Sequence, residues 1–131
     1  MVTSCDAKDV SVVVDGVYLA GFADGTFVSY EKTEDGFAIS VGAQGDTARA
    51  KVNNPLGTIT VTLQQTSPQV AMLNNLAKSG KLVEARVIHK GTNTEKVGGT
   101  QCFILKEASG EYGSEISNRE FTIQVLDYSI S

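Results

Sequence analysis

Three Asp-Gly dipeptides divide the first third of this sequence into short segments in which apolar and polar residues alternate. They stand at residues 15–16, 24–25 and 35–36, and both residues of such a pair tolerate the positive φ angles of a tight hairpin turn. Alternation with a period of two indicates strands that have one buried and one exposed face. Residues 1–42 are therefore predicted to form a β-meander.

The segment from Gly42 to Gly57 interrupts this alternation. Its sequence, GAQGDTARAKVNNPLG, contains three glycines, two asparagines and a proline, and its apolar residues keep neither a helical nor a strand period. We expect a long irregular loop or extended arm. Loops longer than about 12 to 15 residues are uncommon in compact domains and are usually functional or disordered. The segment is a candidate contact with another chain, and an ordinary mobile surface loop is the alternative.

One helix is predicted, over residues 68–79. It follows a clear strand over residues 58–65, in which three apolar residues alternate with threonines. Ser67 and Pro68 are typical of an N-cap and a first helical residue, and Gly80 is typical of a helix end.

The remainder of the chain again indicates strands, over residues 82–90 and 101–106, joined across the turn-rich residues 91–100, and over residues 120–128. Residues 107–119 between the last two strands are polar and glycine-bearing, so they are predicted to form a second projecting loop. The sequence as a whole predicts a mainly β fold, an antiparallel β-sandwich or open β-barrel with one α-helix. No linker divides the chain, which predicts a single domain over residues 1–131.

The charge balance argues against a protein that binds nucleic acid. The formal net charge is −4 and the sequence pI is about 4.9, so no basic face able to neutralise many phosphates is expected. Residues 1–20 lack the pattern of an export signal, and no apolar run approaches the length of a membrane span. We expect a protein that begins in a cytoplasm and is not anchored in a membrane.

The candidate catalytic and metal-binding residues are few and scattered. His89 is the single histidine, and Cys5 and Cys102 lie near opposite ends of the chain, which fits two reduced thiols better than a metal site. Four carboxylates near the end of the chain fit solvated surface charge better than a catalytic pair: Glu111, Glu115, Glu120 and Asp127. The sequence therefore predicts no enzyme and no cofactor.

Five stretches resemble one known family. They are KDVSVVVDGVYLAGFADG, VGAQGD, NNPLGTITVTLQQTSP, EKVGGT and SEISNREFTIQVLDYS, and they occur in this order across essentially the whole chain. In these stretches the sequence resembles the inner tail tube proteins of contractile-tailed bacteriophages and related prophage particles. Two features depart from that family's pattern, the thiols Cys5 and Cys102 and the presence of Phe121 where a larger aromatic residue is usual.

The resemblance implies a β-sandwich or open-barrel protomer that assembles with itself. Six copies would form a ring, and rings would stack into a hollow tube inside a sheath, through which DNA passes without specific binding. The implied partners are sheath, baseplate and tail-terminator proteins, and the implied location is the virion, after assembly in the bacterial host cytoplasm. An acidic protomer suits a lumen that repels phosphates.

The contacts between subunits and rings are assigned, as a hypothesis, to the irregular segment. Charged residues there could pair across an interface. The predicted contact residues are Gly42, Gln44, Asp46, Arg49, Lys51, Asn53 and Asn54.

Two alternatives remain open. A tube subunit of a phage-tail-like bacteriocin or of a type VI secretion apparatus is built on the same principle. From a different class, a secreted β-sandwich binding module for carbohydrate would also show alternating strands without catalytic residues. That second alternative fits less well, because such a module normally carries an export signal and a cluster of exposed aromatic residues.

Overall fold

The computed structural model describes residues 6–131 and shows ten strands and one α-helix in that range. A short 3-10 helix, Ala7–Asp9, precedes the first strand. In chain order the elements are β1 Val10–Val14, β2 Val17–Tyr18, β3 Val28–Lys32, β4 Phe37–Val41, β5 Thr47–Lys51, β6 Gly57–Gln64, α1 Val70–Ser79, β7 Val83–His89, β8 Glu95–Ile104, β9 Asn118–Val125 and β10 Ser129–Ile130.

Eight strands form one antiparallel sheet in the order β2-β1-β7-β8-β9-β6-β3, with β10 paired to β8. Within residues 6–131, β3 and the β1–β2 edge are not paired with each other, so the sheet folds over its own inner face without closing. Strands β4 and β5 form a separate two-stranded sheet. This arrangement confirms the predicted mainly β, sandwich-like fold.

The core lies on the inner face of the curled sheet. In β6 every second residue is buried, starting at Gly57, while the intervening threonines are partly exposed. The same alternation in β9 buries Phe121, Ile123 and Val125 completely. Burying side chains of this size contributes roughly 1.5 to 3 kcal/mol each. The period of two therefore sets which side of each long strand faces the core.

Helix α1 begins two residues later than predicted. The Ser67 hydroxyl donates a hydrogen bond to the Ala20 carbonyl and receives only a long one, 3.4 Å, from the Gln69 amide, which itself precedes the helix. Ser67 thus ties the helix entry to the segment after β2. Gly80 ends the helix as predicted, with a φ of 65°.

Three stretches differ from the sequence-based expectation. The β-meander predicted over residues 1–42 is wrong, because within the described part of that range only β1 and β2 pair with each other, whereas β3 pairs with the longer strand β6 and β4 pairs with β5. Residues 47–51, predicted to be part of an irregular loop, form β5 and pair with β4. Residues 95–100, predicted to be part of a turn, belong to β8. Their glycines suggested a turn, but a glycine within a strand can instead mark a place where two backbones approach closely. Cys102 is buried, and this burial raises the pKa of its thiol, whereas Cys5 lies outside the described residues.

Candidate assembly surface

Strands β4 and β5 with their turn, residues 37–51, form a hairpin that projects from one end of the sandwich. It continues the β3–β6 pair, because the Thr33 amide donates to the Leu56 carbonyl at 3.0 Å and the Val52 amide donates to the Gly36 carbonyl at 2.9 Å. We call this element the projecting hairpin. It is held to the core by backbone hydrogen bonds at its base rather than by burial of its side chains.

The turn of the projecting hairpin contains three of the predicted contact residues. The Gly42 amide donates to the Asp46 carbonyl at 2.6 Å, and the Gly45 amide donates to the Gly42 carbonyl at 3.0 Å. Gly45 has a φ of +86°, a conformation that favours glycine. Gln44 lies in the same turn and is exposed. The VGAQGD motif therefore builds the tip of this element.

The two faces of the projecting hairpin differ in chemistry. Residues directly opposite in an antiparallel pair share a face. One face, here named the apolar-basic face, carries three register pairs: Phe37 with Lys51, Ile39 with Arg49, and Val41 with Thr47. The other face carries only small side chains, those of Ala38, Ser40, Ala48 and Ala50.

Every residue of β4 and β5 is exposed in the protomer. Ile39 is 78% exposed and Val41 is 67% exposed, although both are strand residues of high hydrophobicity. The Arg49 guanidinium lies over the Phe37 ring, 4.7 Å from its centroid, so the aromatic ring and the charge are presented together. Contiguous exposed apolar side chains of this kind mark interaction surfaces in soluble proteins.

Of the predicted contact residues, five lie on the projecting hairpin: Gly42, Gln44, Asp46, Arg49 and Lys51. Asn53 and Asn54 lie beyond it, at its base. The Asn54 side-chain oxygen accepts a hydrogen bond from the Leu56 amide at 3.0 Å, and this residue is partly buried. Asn54 therefore shapes the return into β6, and its proposed role in a contact stays a prediction.

Sequence reasoning left three residues out of this surface. The period of two places Phe37, Ile39 and Val41 on the buried face of a strand, yet all three are exposed in the protomer. The sequence does contain one sign of this exposure. The segment that pairs with them, TARAK at residues 47–51, has no large apolar side chain that could form a core with them.

The base of the projecting hairpin is anchored by residues from two of the family-like motifs. A Cβ atom at Gly57 would lie 2.2 Å from the Tyr128 ring, so only glycine allows the ring to pack there. The Tyr128 amide donates to the Pro55 carbonyl at 2.9 Å. The NNPLG and LDYS stretches thus meet where the hairpin leaves the sandwich.

Asp127 stabilises a neighbouring irregularity in β8. Between the pairs Val83–Cys102 and Ala85–Gly99, one residue of β7 faces two of β8, Thr100 and Gln101, so β8 carries a bulge. The Asp127 carboxylate accepts hydrogen bonds from the Thr100 hydroxyl at 2.6 Å and from the Thr100 and Gln101 amides at 3.0 Å. The hydrogen bond from the Thr100 hydroxyl is the main reason that the pKa of Asp127 is lowered to about 2.

A side-chain hydrogen bond spans the open side of the sheet. The Tyr30 hydroxyl on β3 donates to the Glu95 carboxylate on β8, and this bond is the main cause that raises the pKa of Tyr30 to about 12. His89, at the end of β7, lines an open cleft with Tyr30 and Glu95. His89 is thus a strand residue, as predicted.

The long loop between β8 and β9 lies at the other end of the sandwich. Residues 105–117, here named the acidic loop, contain three glutamates and one lysine. Tyr112 is 88% exposed and Ile116 is 62% exposed. The predicted second projecting loop is therefore present and carries exposed apolar side chains.

The described residues offer no cluster of side chains for metal binding. Among residues 6–131, no group of three or more His, Cys, Asp or Glu side chains is placed to hold a metal ion. In the same range no helix has the length and apolar character needed to cross a membrane. The notable surfaces of this protomer are its projecting hairpin and its acidic loop.

The family model of the bacteriophage PhiTE tail tube protein matches residues 8–100. This chain belongs to that tail tube family. The match confirms the resemblance to phage tail tube proteins and the prediction of a structural protein rather than an enzyme. No curated protein matches the sequence significantly.

Solved structures share the fold of this tail tube family member at low sequence identity. A chain from the virion of a native gene transfer agent particle is 17% identical, with a TM-score of 0.63 and coverage of 98% of this chain and 99% of that one. A chain from the sheath/tube terminator structure of the extracellular contractile injection system PVC is 14% identical, with a TM-score of 0.61 and coverage of 98% and 97%. A chain from the anti-feeding prophage tube-terminating cap is 12% identical, with a TM-score of 0.58 and coverage of 100% and 93%.

Proposed function

We propose that this chain is the repeating subunit of the inner tube of a contractile phage tail. Six copies form a ring, and rings stack into a hollow conduit through which the genome is delivered. Sheath, baseplate and terminator proteins are its partners in the virion, after assembly in the host cytoplasm. The observation that carries this proposal is the projecting hairpin, whose side chains are all exposed in the protomer although three of them are large and apolar.

The edges of the main sheet support closure into a ring. Within the described residues, β3 pairs only with β6, so its other edge presents unpaired backbone groups. Edge pairing between copies would satisfy these groups and continue one sheet around the ring. A ring of identical subunits requires a heterologous interface, in which two different surfaces of each copy meet.

The net charge supports a conduit that does not hold DNA. At −4 per protomer the assembled wall is negatively charged, so it repels phosphates rather than binding them. DNA would then pass through the lumen without a specific site.

Excision of the projecting hairpin tests this proposal. Residues 37–51 are replaced by Asn-Gly, a pair that closes tight turns, because Gly36 and Val52 are already joined by a backbone hydrogen bond. We expect a folded protomer, since the removed side chains lie outside the core, and we expect electron microscopy to show no tubes. Tubes of normal length from this variant would contradict the assignment of the hairpin to subunit contacts.

A second candidate function is that of a tube terminator. The structural neighbours include a sheath/tube terminator and a tube-terminating cap, and both share this fold. A terminator would form single rings that add to the end of a tube and would not polymerise. Electron microscopy of the concentrated wild-type protein, alone and with the other tail proteins encoded beside it, distinguishes long tubes from isolated rings.

The same subunit would also serve a phage-tail-like bacteriocin or a type VI secretion apparatus. The genes beside it decide between these particles. Capsid and terminase genes indicate a phage, whereas sheath and baseplate genes without them indicate a headless device.

A further inference from the structure

The projecting hairpin and the acidic loop lie at opposite ends of the same strands. Strand β6 begins at Gly57, beside the hairpin base, and ends at Gln64, which pairs with Asn118 at the start of β9. The acidic loop ends immediately before Asn118. Eight residues of strand span about 26 Å. One protomer therefore presents two different exposed surfaces on opposite ends.

These two surfaces are complementary in charge. The apolar-basic face of the projecting hairpin presents Arg49 and Lys51 beside its apolar side chains. The acidic loop presents Glu107, Glu111 and Glu115, all exposed, against a single lysine. Opposite charges arranged across an interface favour the correct partner and discourage others.

The two surfaces also match in apolar character. On the projecting hairpin, Ile39 and Val41 are highly exposed large apolar residues. On the acidic loop, Tyr112 and Ile116 are likewise highly exposed. Neither set packs on the core of its own protomer. A contact between them would remove both from water, which favours association.

The acidic loop is held in one shape by its own contacts. The Ser117 hydroxyl donates a hydrogen bond to the Glu111 carbonyl at 2.7 Å and also lies 2.9 Å from the Gln65 side-chain oxygen. The Arg119 guanidinium lies 5.6 Å from the Tyr112 ring centroid, and a Cβ atom at Gly110 would lie 2.1 Å from that guanidinium. A surface that is already ordered loses less conformational freedom on binding.

We propose that the apolar-basic face of the projecting hairpin binds the acidic loop of a second copy in the next ring. This inference rests on the proposed tube function and names the partner surface of the hairpin. Because the two surfaces differ and lie at opposite ends, the contact is heterologous and leaves one free surface of each kind. It therefore repeats along an axis, head to tail, without closing.

Charge reversal tests the pairing. The Arg49→Glu, Lys51→Glu variant places like charges opposite the acidic loop, and the Glu111→Lys, Glu115→Lys variant does so from the other side. We expect each to raise the protein concentration needed for tube formation about tenfold or more, as measured by sedimentation and electron microscopy. Combining all four substitutions, or mixing the two variants, should restore tubes to within about threefold of wild type.

Two controls accompany these variants. Lys90→Glu with Lys96→Glu makes the same change in net charge as the hairpin variant, at exposed positions off the hairpin, so it reports the general effect of added negative charge. Circular dichroism melting shows whether each variant is folded. Restoration in the mixture is itself evidence of folding, because unfolded chains would not assemble.

Disulfide cross-linking tests proximity directly. Ile39→Cys and Ile116→Cys are introduced together in a Cys5→Ser background, and assembled tubes are oxidised. We expect a ladder of linked chains, because each copy contributes one cysteine to each of two neighbours, whereas either cysteine alone should give no ladder.

The outcomes separate this inference from the tube function itself. If wild-type tubes form but the reversal variants assemble equally well, or no ladder appears, the hairpin does not bind the acidic loop and the tube function stands. If the wild-type protein forms no tubes even with the other tail proteins, the proposed function and this inference both fail.

Discussion

At the scale of single residues, residues of the family-like motifs make contacts that connect different strands. Asp127 caps the amides of the β8 bulge, and Gly57 makes room for the Tyr128 ring. Gly21 is also packed closely against Ser67, since a Cβ atom at position 21 would lie 2.9 Å from the Ser67 side chain. These contacts join segments that are far apart in the chain.

Asp127→Asn is expected to destabilise the protomer by about 1 to 2 kcal/mol at pH 7, because charge-assisted hydrogen bonds to the bulge are weakened. The pKa of Asp127 is lowered from 3.8 to about 2, so its stabilising effect is present above pH 4 and is lost as the pH falls towards 2. Urea unfolding at pH 7 and pH 2.5 should therefore show a smaller difference between variant and wild type at the lower pH. Glu115→Gln, in the exposed acidic loop, is the control and should change little.

Gly98→Ala is expected to prevent folding or to cost more than about 3 kcal/mol. Gly98 has a φ of +144°, and its Cβ would lie 2.0 Å from the Ala85 carbonyl oxygen. Gly113→Ala is the matched control, because nothing lies within 4 Å of that Cβ position. Thermal melting of both variants measures the difference in stability. Equal melting temperatures would contradict the close contact between β7 and β8 at Gly98.

At the scale of elements, the helix and the projecting hairpin are stabilised in different ways. Helix α1 places one side chain, Leu73, fully in the core and keeps Asn74 at its surface, where the side-chain oxygen accepts a hydrogen bond from the Ala108 amide at 3.2 Å. The projecting hairpin buries nothing in the protomer. An isolated two-stranded hairpin is marginally stable in water, so contacts with other copies would stabilise it.

Leu73→Ala is expected to cost about 2 to 5 kcal/mol, because it leaves a cavity where the helix meets the sheet. Leu82→Ala, at a residue that is half exposed, should cost less than about 1 kcal/mol. Denaturant unfolding of the two variants gives the comparison. A cost for Leu73→Ala as small as that for Leu82→Ala would mean that the helix is not packed on the sheet as described.

At the scale of the whole molecule, one core cluster draws on β1, β6, β7, β8, β9 and α1. The projecting hairpin and the acidic loop extend from opposite ends of this core without forming cores of their own. A rigid body with a different surface at each end suits the proposed stacking, since repeated contacts preserve the direction of the axis.

Thermal unfolding of the dilute, unassembled protomer is expected to be a single two-state transition, because residues 1–131 are predicted to form one domain around one core. Calorimetry should give equal calorimetric and van't Hoff enthalpies. The hairpin-excised protein should show the same single transition. Two separate transitions in the wild-type protein would contradict the single-domain prediction.

The sequence by itself determined the mainly β class, most strand positions, the one helix and the family, because these depend on local periodicity, turn residues and motif order. It also located most of the projecting hairpin within a segment expected to contact other chains. Only the tertiary structure decided that residues 47–51 pair with β4, because the apolar residues of TARAK are alanines, which do not favour strands, and the segment becomes a strand through its neighbour's hydrogen bonds. The exposure of Phe37, Ile39 and Val41 was likewise a tertiary outcome, since the period of two predicts that one face is covered but not by which molecule.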